Sequence, residues 1–186
     1  NAADAVNLGS TVDTTANTLE LSASELSRVT ATGGVLRIGR TDGGAIAIGN
    51  PTAFNLTGNE NILHLMSSST IKQDPASGGS IQVANLAVEA GGDVDLSLGA
   101  NDFTNLVVTV GGAGGNVCVR DTNALNISAT AIDGVAAGIT TIGSIAVEAG
   151  GEGAGRLGQG DGPLRLDRGR DAPRHGRGSE GSSAGG

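Results

Sequence analysis

The sequence predicts an all-β protein in which short parallel strands stack as the coils of a parallel β-helix. The first observation is a recurring phrase of two glycines, any residue, an aliphatic residue, any residue and a second aliphatic residue. It occupies residues 33–38, 43–48, 78–83, 91–96 and 114–119. A glycine pair allows a sharp turn, and the alternation places two aliphatic side chains on one face of a strand.

The second observation is that other strand-like segments follow one another at intervals of about ten residues. They occupy residues 19–21, 53–56, 62–65, 86–88, 106–110, 125–127 and 145–147. The segments between them are rich in Gly, Asn, Asp, Ser and Thr, which are typical of turns. Short strands separated by polar turns fit two architectures, a β-sandwich and a parallel β-helix.

The third observation is an exact internal repeat, since Ala87-Val88-Glu89-Ala90-Gly91-Gly92 recurs at 146–151, an offset of 146 − 87 = 59. Three coils of about twenty residues, each with two or three strands, would produce this offset. Residues expected to point inward are Leu36, Ile46, Ile81, Val94, Val117, Leu125 and Val147. Glycines expected at the corners are Gly34, Gly44, Gly79, Gly92 and Gly115.

Composition favours the β-helix over the sandwich. The chain has two Phe and no Trp or Tyr, so its core is aliphatic, and like side chains suit stacked coils about 4.8 Å apart. One helical turn is expected over residues 22–29, because Ser22 is followed three residues later by Glu25. No obvious cap is evident, so we expect an open sheet edge at each end.

The pattern divides the chain into three parts. Residues 1–17 are expected to be irregular or a partial first coil, 18–151 to form the β-helix repeats, and 152–186 to be a disordered, low-complexity tail. Only six of the last 35 residues are apolar, too few to offset the entropy of ordering. The abrupt change fits a shifted reading frame or artificial end, or a flexible linker. A start at Asn1 without a leader indicates a processed product or an excerpt.

Charge and cysteine content narrow the possible partners. The net charge is −8, and the acidic excess lies in residues 1–151, which would repel a phosphate backbone, so no nucleic-acid partner is expected. No apolar run approaches the ~20 residues of a membrane-spanning helix, so no such segment is expected. Cys118 is the single cysteine and cannot form an intramolecular disulfide.

Calcium binding and glycoside cleavage are the main chemical alternatives. The segment 91–99 begins like the calcium-binding repeat G-G-x-G-x-D-x-U-x, but Val94 and Leu96 replace its third Gly and its Asp. A polysaccharide-cleaving site would need paired carboxylates, or a carboxylate beside basic residues, on one face. Asp93 and Asp95 share one side of a strand, with Glu89 just before them. The basic residues Arg37, Arg40, Lys72 and Arg120 are scattered.

His64 lies outside the alternating apolar pair of its segment, so we expect an exposed strand histidine. His175 is far away in the tail, and zinc sites need three or four close ligands. No nucleophile elbow and no phosphate-binding loop occur, and the glycine-rich stretch 111–115 is interpreted as a turn. We therefore predict no catalytic, cofactor-binding or metal-binding residue, and no cofactor.

Three segments, 36–39, 86–94 and 120–127, resemble the repeats of large bacterial exoproteins, the filamentous-haemagglutinin-like adhesins of the two-partner secretion pathway. The resemblance covers residues 18–151. It implies a right-handed parallel β-helix shaft, exported through an outer-membrane secretion partner and then secreted or held at the bacterial cell surface. Adhesion to host or neighbouring cells would involve other parts of the parent protein, and the tail departs from the family.

The predicted function is therefore a structural shaft or spacer in a secreted or surface-attached bacterial adhesin, and not an enzyme. Two alternatives stay open. One is a β-helix enzyme acting on polysaccharide, and the other is a cation- or glycan-binding module. Replacing Val94 with Asp is expected to destabilise the fold by several kcal/mol, because it would bury an unpaired charge.

Overall fold

The computed structural model describes residues 4–49, 54–58, 60–76, 78–98 and 100–150. The predicted disordered tail, 152–186, lies outside the described residues. Within them the chain is all-β and its strands form parallel sheets, as predicted. The described residues contain no helix with the length and hydropathy needed to cross a bilayer.

The strands are distributed over two sheets. Their bounds are β1 (Ala5–Leu8), β2 (Thr18–Leu21), β3 (Ala31–Gly39), β4 (Ile46–Ile48), β5 (Phe54–Asn55), β6 (Glu60–Ser67), β7 (Ile71–Gln73), β8 (Ile81–Ala90), β9 (Val94–Leu96), β10 (Asp102–Val110), β11 (Val117–Asp121), β12 (Asn126–Ile127), β13 (Ile139–Thr140) and β14 (Ile145–Ala149). Sheet A has the order β14-β11-β9-β7-β4-β1-β2. Sheet B has the order β12-β10-β8-β6-β3, with β5 also paired to β8 and β13 to β10.

Strand pairing follows chain order except at the first end of sheet A, where β1 lies between β2 and β4. From β6 to β11 the chain passes alternately between the sheets, and each pass adds a strand beside the previous strand of that sheet. Pairing between the named strands is parallel throughout: Leu106 pairs with Leu86 (106 − 86 = 20) and Ile145 with Val117 (145 − 117 = 28). Parallel pairing requires such long connections and excludes the hairpins of a sandwich.

The inner faces of both sheets share one aliphatic core. Leu8, Ile48 and Leu96 of sheet A pack in the same cluster as Leu63 and Leu106 of sheet B. The predicted inward residues Ile46, Ile81, Val94 and Val117 are buried. Leu36 and Leu125 are partly buried against this core, and Val147 is half-buried in the edge strand β14. The expectation holds in the middle of the sheets and weakens toward their ends.

Glycines mark the passages between sheets, with one exception. Gly44, Gly79, Gly92 and Gly115 lie in these connections, whereas Gly34 lies inside β3, where the register shifts. The prediction of a corner at Gly34 is therefore wrong. Other connecting glycines are needed for close approach: a side chain at Gly91 would collide with the carbonyl of Ser68, and one at Gly112 with that of Gly91.

The predicted helical turn is confirmed as α1 (Ala23–Leu26). Ser22 accepts a hydrogen bond from the Glu25 amide at 3.3 Å, and the Glu25 carboxylate accepts one from the Ser22 amide at 2.9 Å. This reciprocal capping fixes the turn so that Leu26, 1% exposed, enters the core near the first strands. β2 and β3 have no further strand beside them in the described sheets, so the expected open edge is present at this end although Leu26 fills part of the core.

The exact repeat does not mark equivalent positions. Residues 87–90 lie in β8 of sheet B, while 146–149 lie in β14 of sheet A. The interpretation of the offset as three equal coils is therefore wrong. The spacing between paired strands varies with the length of the connections, so identical letters fall on different sheets.

Candidate functional site: an ion-pair cluster beneath a hairpin

The chain after β12 folds back over the outer face of sheet B. Ile132 and Val135 pair antiparallel, with N–O distances of 3.1 and 2.9 Å in the two directions. Between them Asp133 and Gly134 both have positive φ, 47° and 85°. An Asp-Gly pair suits a two-residue turn of this kind. We call residues 132–135 the hairpin.

The apolar side chains of the hairpin cover the middle of sheet B. Ile132 and Val135 pack against Ala87 and Val107, with Ile62 at the margin. Ala87 and Val107 point away from the main core, yet both are 0% exposed. The central strands β8 and β10 are consequently buried on both faces.

The polar tip of the hairpin ties three distant segments together. The Asp133 carboxylate accepts hydrogen bonds from Arg37 Nε and Nη2, the Nε contact being 2.7 Å, and lies 2.7 Å from His64 Nδ1. Arg37 and His64 are register partners in β3 and β6. The Asp133 side chain is only 8% exposed although it lies at a loop tip. We call Arg37, His64, Asp133 and Glu89 the ion cluster.

His64 is 4% exposed, so the prediction of an exposed histidine is wrong. His64 lies on the outer face of the sheet, opposite the alternating apolar pair of its strand. The hairpin, 69 residues later in the chain, covers that face. Its Nε2 is buried without a hydrogen-bond partner, 3.4 Å from Glu89 Oε2. Both ring nitrogens therefore face carboxylates.

The electrostatics of the ion cluster favour a clamp. The hydrogen bond from Arg37 holds the pKa of Asp133 below its ordinary value, and the His64 contact acts in the same direction. The same bond raises the pKa of Arg37. An imidazole enclosed by acceptors is suited to binding the hairpin, whereas activating a nucleophile requires a hydroxyl or thiol in hydrogen-bond reach.

Asp93 and Asp95 share one side of the β9 region, as predicted, but Glu89 does not join them. Glu89 lies on sheet B beside His64, whereas Asp93 and Asp95 belong to the β9 region of sheet A. Asp93 accepts bonds from the Asn116 amide at 2.9 Å and Lys72 Nζ at 3.1 Å, which lower its pKa. Asp95 accepts from the amide of Ser97 at 3.1 Å.

Arg40 and Arg120 each have an acidic neighbour, and Cys118 is a half-buried free thiol. Arg40 contacts Asp42 at 2.7 Å, and Arg120 lies 3.9 Å from Glu148. Within the part of the chain that the structure describes, no group of three or more His, Cys, Asp or Glu side chains is arranged to hold a metal ion.

Sequence reasoning missed a buried polar network where sheet A leads into sheet B. Asn101, 0% exposed, accepts hydrogen bonds from Gln73 Nε2 at 2.9 Å and the Ile81 amide at 3.1 Å, and donates to the Leu96 carbonyl at 2.7 Å. Asp121 accepts from the Phe103 amide at 2.7 Å, and burial raises its pKa. The detectable signal was Gln73 standing at an inward position of an alternating segment.

A ladder of asparagines on the outer face of sheet B was also missed. Asn85 Nδ2 donates to Asn61 Oδ1 at 3.1 Å, Asn105 Nδ2 to Asn85 Oδ1 at 2.8 Å, and Asn126 Nδ2 to Asn105 Oδ1 at 2.7 Å. Each hydrogen bond links one strand of the sheet to the next. The signal was an Asn before an aliphatic residue at intervals of 24, 20 and 21 residues.

A polar groove of about 400 Å³ lies beside Glu89, at the passage from sheet B to sheet A. Its lining includes Thr41, Ser68, Thr109 and Gly112. Ser68 already donates to the Gly43 carbonyl at 2.6 Å, whereas the Thr109 hydroxyl has no hydrogen-bond partner. Glu89 thus belongs both to the lining of this groove and to the ion cluster.

Comparisons with protein-family models, curated proteins and solved structures find no match to this chain.

Proposed function

We propose that residues 18–151 form a right-handed parallel β-helix. This β-helix acts as a non-catalytic shaft or spacer in a secreted or surface-attached bacterial adhesin. One observation carries the proposal: from β3 onward, successive strands are added in chain order to two parallel sheets around a single apolar core. Such a column lengthens by repetition, and each coil needs only its neighbours for its core. An experimental structure with left-handed passages would contradict the proposed hand.

The polar contacts support a mechanical role. The asparagine ladder and the Gln73–Asn101 network form hydrogen bonds between segments 20 or more residues apart. The ion cluster adds a lateral connection, because Asp133 contacts Arg37 and His64 on adjacent strands. These groups mainly bind one another, as expected for a stiff column.

Export and display provide the experimental test. The full chain is placed between a two-partner secretion domain and an epitope tag, with and without the outer-membrane partner. The proposal expects surface epitope only when the partner is present, with no gain in adhesion over cells that display the secretion domain alone. Epitope retained inside the cell despite the partner would contradict the family assignment, and a gain in adhesion would contradict a passive spacer.

A second candidate, binding of a glycan or cation, is favoured by the groove beside Glu89 and the unpartnered Thr109 hydroxyl. Its test is a set of thermal melts with added calcium and with a panel of oligosaccharides. A rise in Tm that disappears in Glu89→Gln, but not in the exposed control Glu148→Gln, would support the site. Melts unaffected by every additive would eliminate it.

A further inference from the structure

The two ends of the strand stack carry unequal apolar surfaces. At the first end, β2 and β3 are the terminal strands of sheets A and B. Beside them lies a groove of about 180 Å³, lined by Leu19, Leu21, Leu26, Val29, Leu36 and Ile38 among others. Leu19 is 51% exposed and Val29 39%. The helical turn α1 fills the core here but leaves this apolar groove open.

At the second end, Ile142 is 78% exposed, the most exposed large apolar side chain of the described residues. It lies between β13 and β14, which have no further strand beside them in the described sheets. Its neighbours face the rest of the molecule, because Thr141 Oγ1 donates to the Gly115 carbonyl and Gly143 lies against the same group. Ile142 is consequently turned away from the stack.

We propose that copies of this chain associate head to tail, with Ile142 of one copy seated in the apolar groove of the next. The free edges of the terminal strands require this head-to-tail arrangement. Every pairing between the named strands is parallel, and a terminal strand meeting its own copy across a twofold axis would instead pair antiparallel. Head-to-tail contact continues both sheets and buries an exposed isoleucine against six aliphatic residues.

This inference goes beyond the shaft proposal and does not depend on it. A heterologous contact that leaves one free end on every copy gives open chains of varying length. The occupant is a second copy because both complementary surfaces, a projecting side chain and an apolar groove, are present on one molecule.

The test uses the 186-residue chain in sedimentation velocity over a range of concentrations, with three variants at exposed positions. Leu19→Lys blocks the groove and Ile142→Lys blocks the projecting end. Val12→Lys is the matched control, since Val12 is 56% exposed and does not line the groove. Circular dichroism and melting establish that each variant remains folded.

The expected result is concentration-dependent oligomers for the wild type and Val12→Lys, and monomers for each blocked variant alone. An equimolar mixture of the two blocked variants should form a one-to-one dimer and nothing larger, because one intact end remains on each. Three outcomes overturn the proposal: a monomeric wild type, a dimer of either blocked variant alone, or loss of association in Val12→Lys.

Discussion

Two identical segments of this protein have different environments. In β8, Ala87 and Val88 are both 0% exposed, whereas in β14 Ala146 is exposed and Val147 half-buried. β8 pairs with β6 and β10 on its two sides and lies under the hairpin, while β14 pairs only with β11. The same sequence therefore buries a different area in each of its two copies. The position of each copy in the sheets decides how much is buried.

The glutamates of the two segments show the same contrast. Glu89 lies 3.4 Å from the buried His64, whereas Glu148 lies 3.9 Å from Arg120 with both side chains more than 60% exposed. An exposed pair of this kind contributes about 0–1 kcal/mol. The covered segment is thus the one where sequence changes should matter.

The largest expected difference comes from a charge on the covered face. Ala87→Asp should destabilise the fold by about 3–5 kcal/mol, because the new carboxylate would be buried between Val107 and His64, and His64 already faces two carboxylates. Ala146→Asp should change stability by less than about 0.5 kcal/mol, as expected at an exposed position. Urea unfolding measures both, and equal losses would contradict the difference in burial.

Removing methyl groups should reveal the same difference in burial between β8 and β14 without introducing a charge. Val88→Ala leaves a cavity in the core and should cost about 2–3 kcal/mol, while Val147→Ala should cost less than about 1 kcal/mol. The free energies of unfolding come from denaturant titration. A Val147→Ala loss as large as that of Val88→Ala would indicate that a further strand covers β14.

The hairpin itself should account for part of the difference. Asp133→Asn removes the charge that binds Arg37 and His64 and should cost about 1–2 kcal/mol. Asp95→Asn, which keeps a carbonyl acceptor for Ser97, is the control and should be nearly neutral.

A double-mutant cycle tests whether the hairpin causes the burial of residue 87. Ala87→Asp should cost less stability when it is combined with Asp133→Asn, because a loosened hairpin lets water reach residue 87. Simple additivity would argue that the hairpin does not determine that burial.

The capping box at the first end should have a smaller effect. Ser22→Ala removes the hydroxyl that accepts from the Glu25 amide and should cost about 1 kcal/mol. Ser144→Ala, at an exposed serine outside the helical turn, is the control, because Ser24 Oγ itself lies 3.1 Å from Ser22 Oγ. Thermal melts compare them, and an equal fall in Tm would show that the capping hydrogen bond is not the cause.

The smallest effect is a pH dependence of opposite sign at two aspartates. The pKa of Asp133 is lowered by Arg37 from the ordinary 3.8, so its stabilisation is present above that pH and lost as pH falls below it. Burial raises the pKa of Asp121 from 3.8, so stability is lost as pH rises from 3.8 through the raised value. Unfolding against pH for Asp133→Asn and Asp121→Asn should differ from wild type with opposite slopes, and slopes of the same sign would contradict this assignment.

Part of the covered face could have been predicted from sequence. Most strands alternate, but Leu86-Ala87-Val88 and Leu106-Val107-Val108 are unbroken apolar runs. Such runs are typical of strands buried on both faces. The Asp133-Gly134 pair likewise indicated a tight turn. What covers the strands could not be predicted, because no local signal connects residue 133 with residues 37 and 64.

The sequence by itself determined the strands, the turns between them and the capped helical turn, because alternation, glycine and a capping serine act over a few neighbouring residues. It also determined that the core is aliphatic apart from Phe103. Only the tertiary structure decided which strands pair, where the two identical segments lie and that His64 is buried. Those outcomes depend on connection lengths and on contacts between residues up to 96 positions apart, which align only when the chain is stacked.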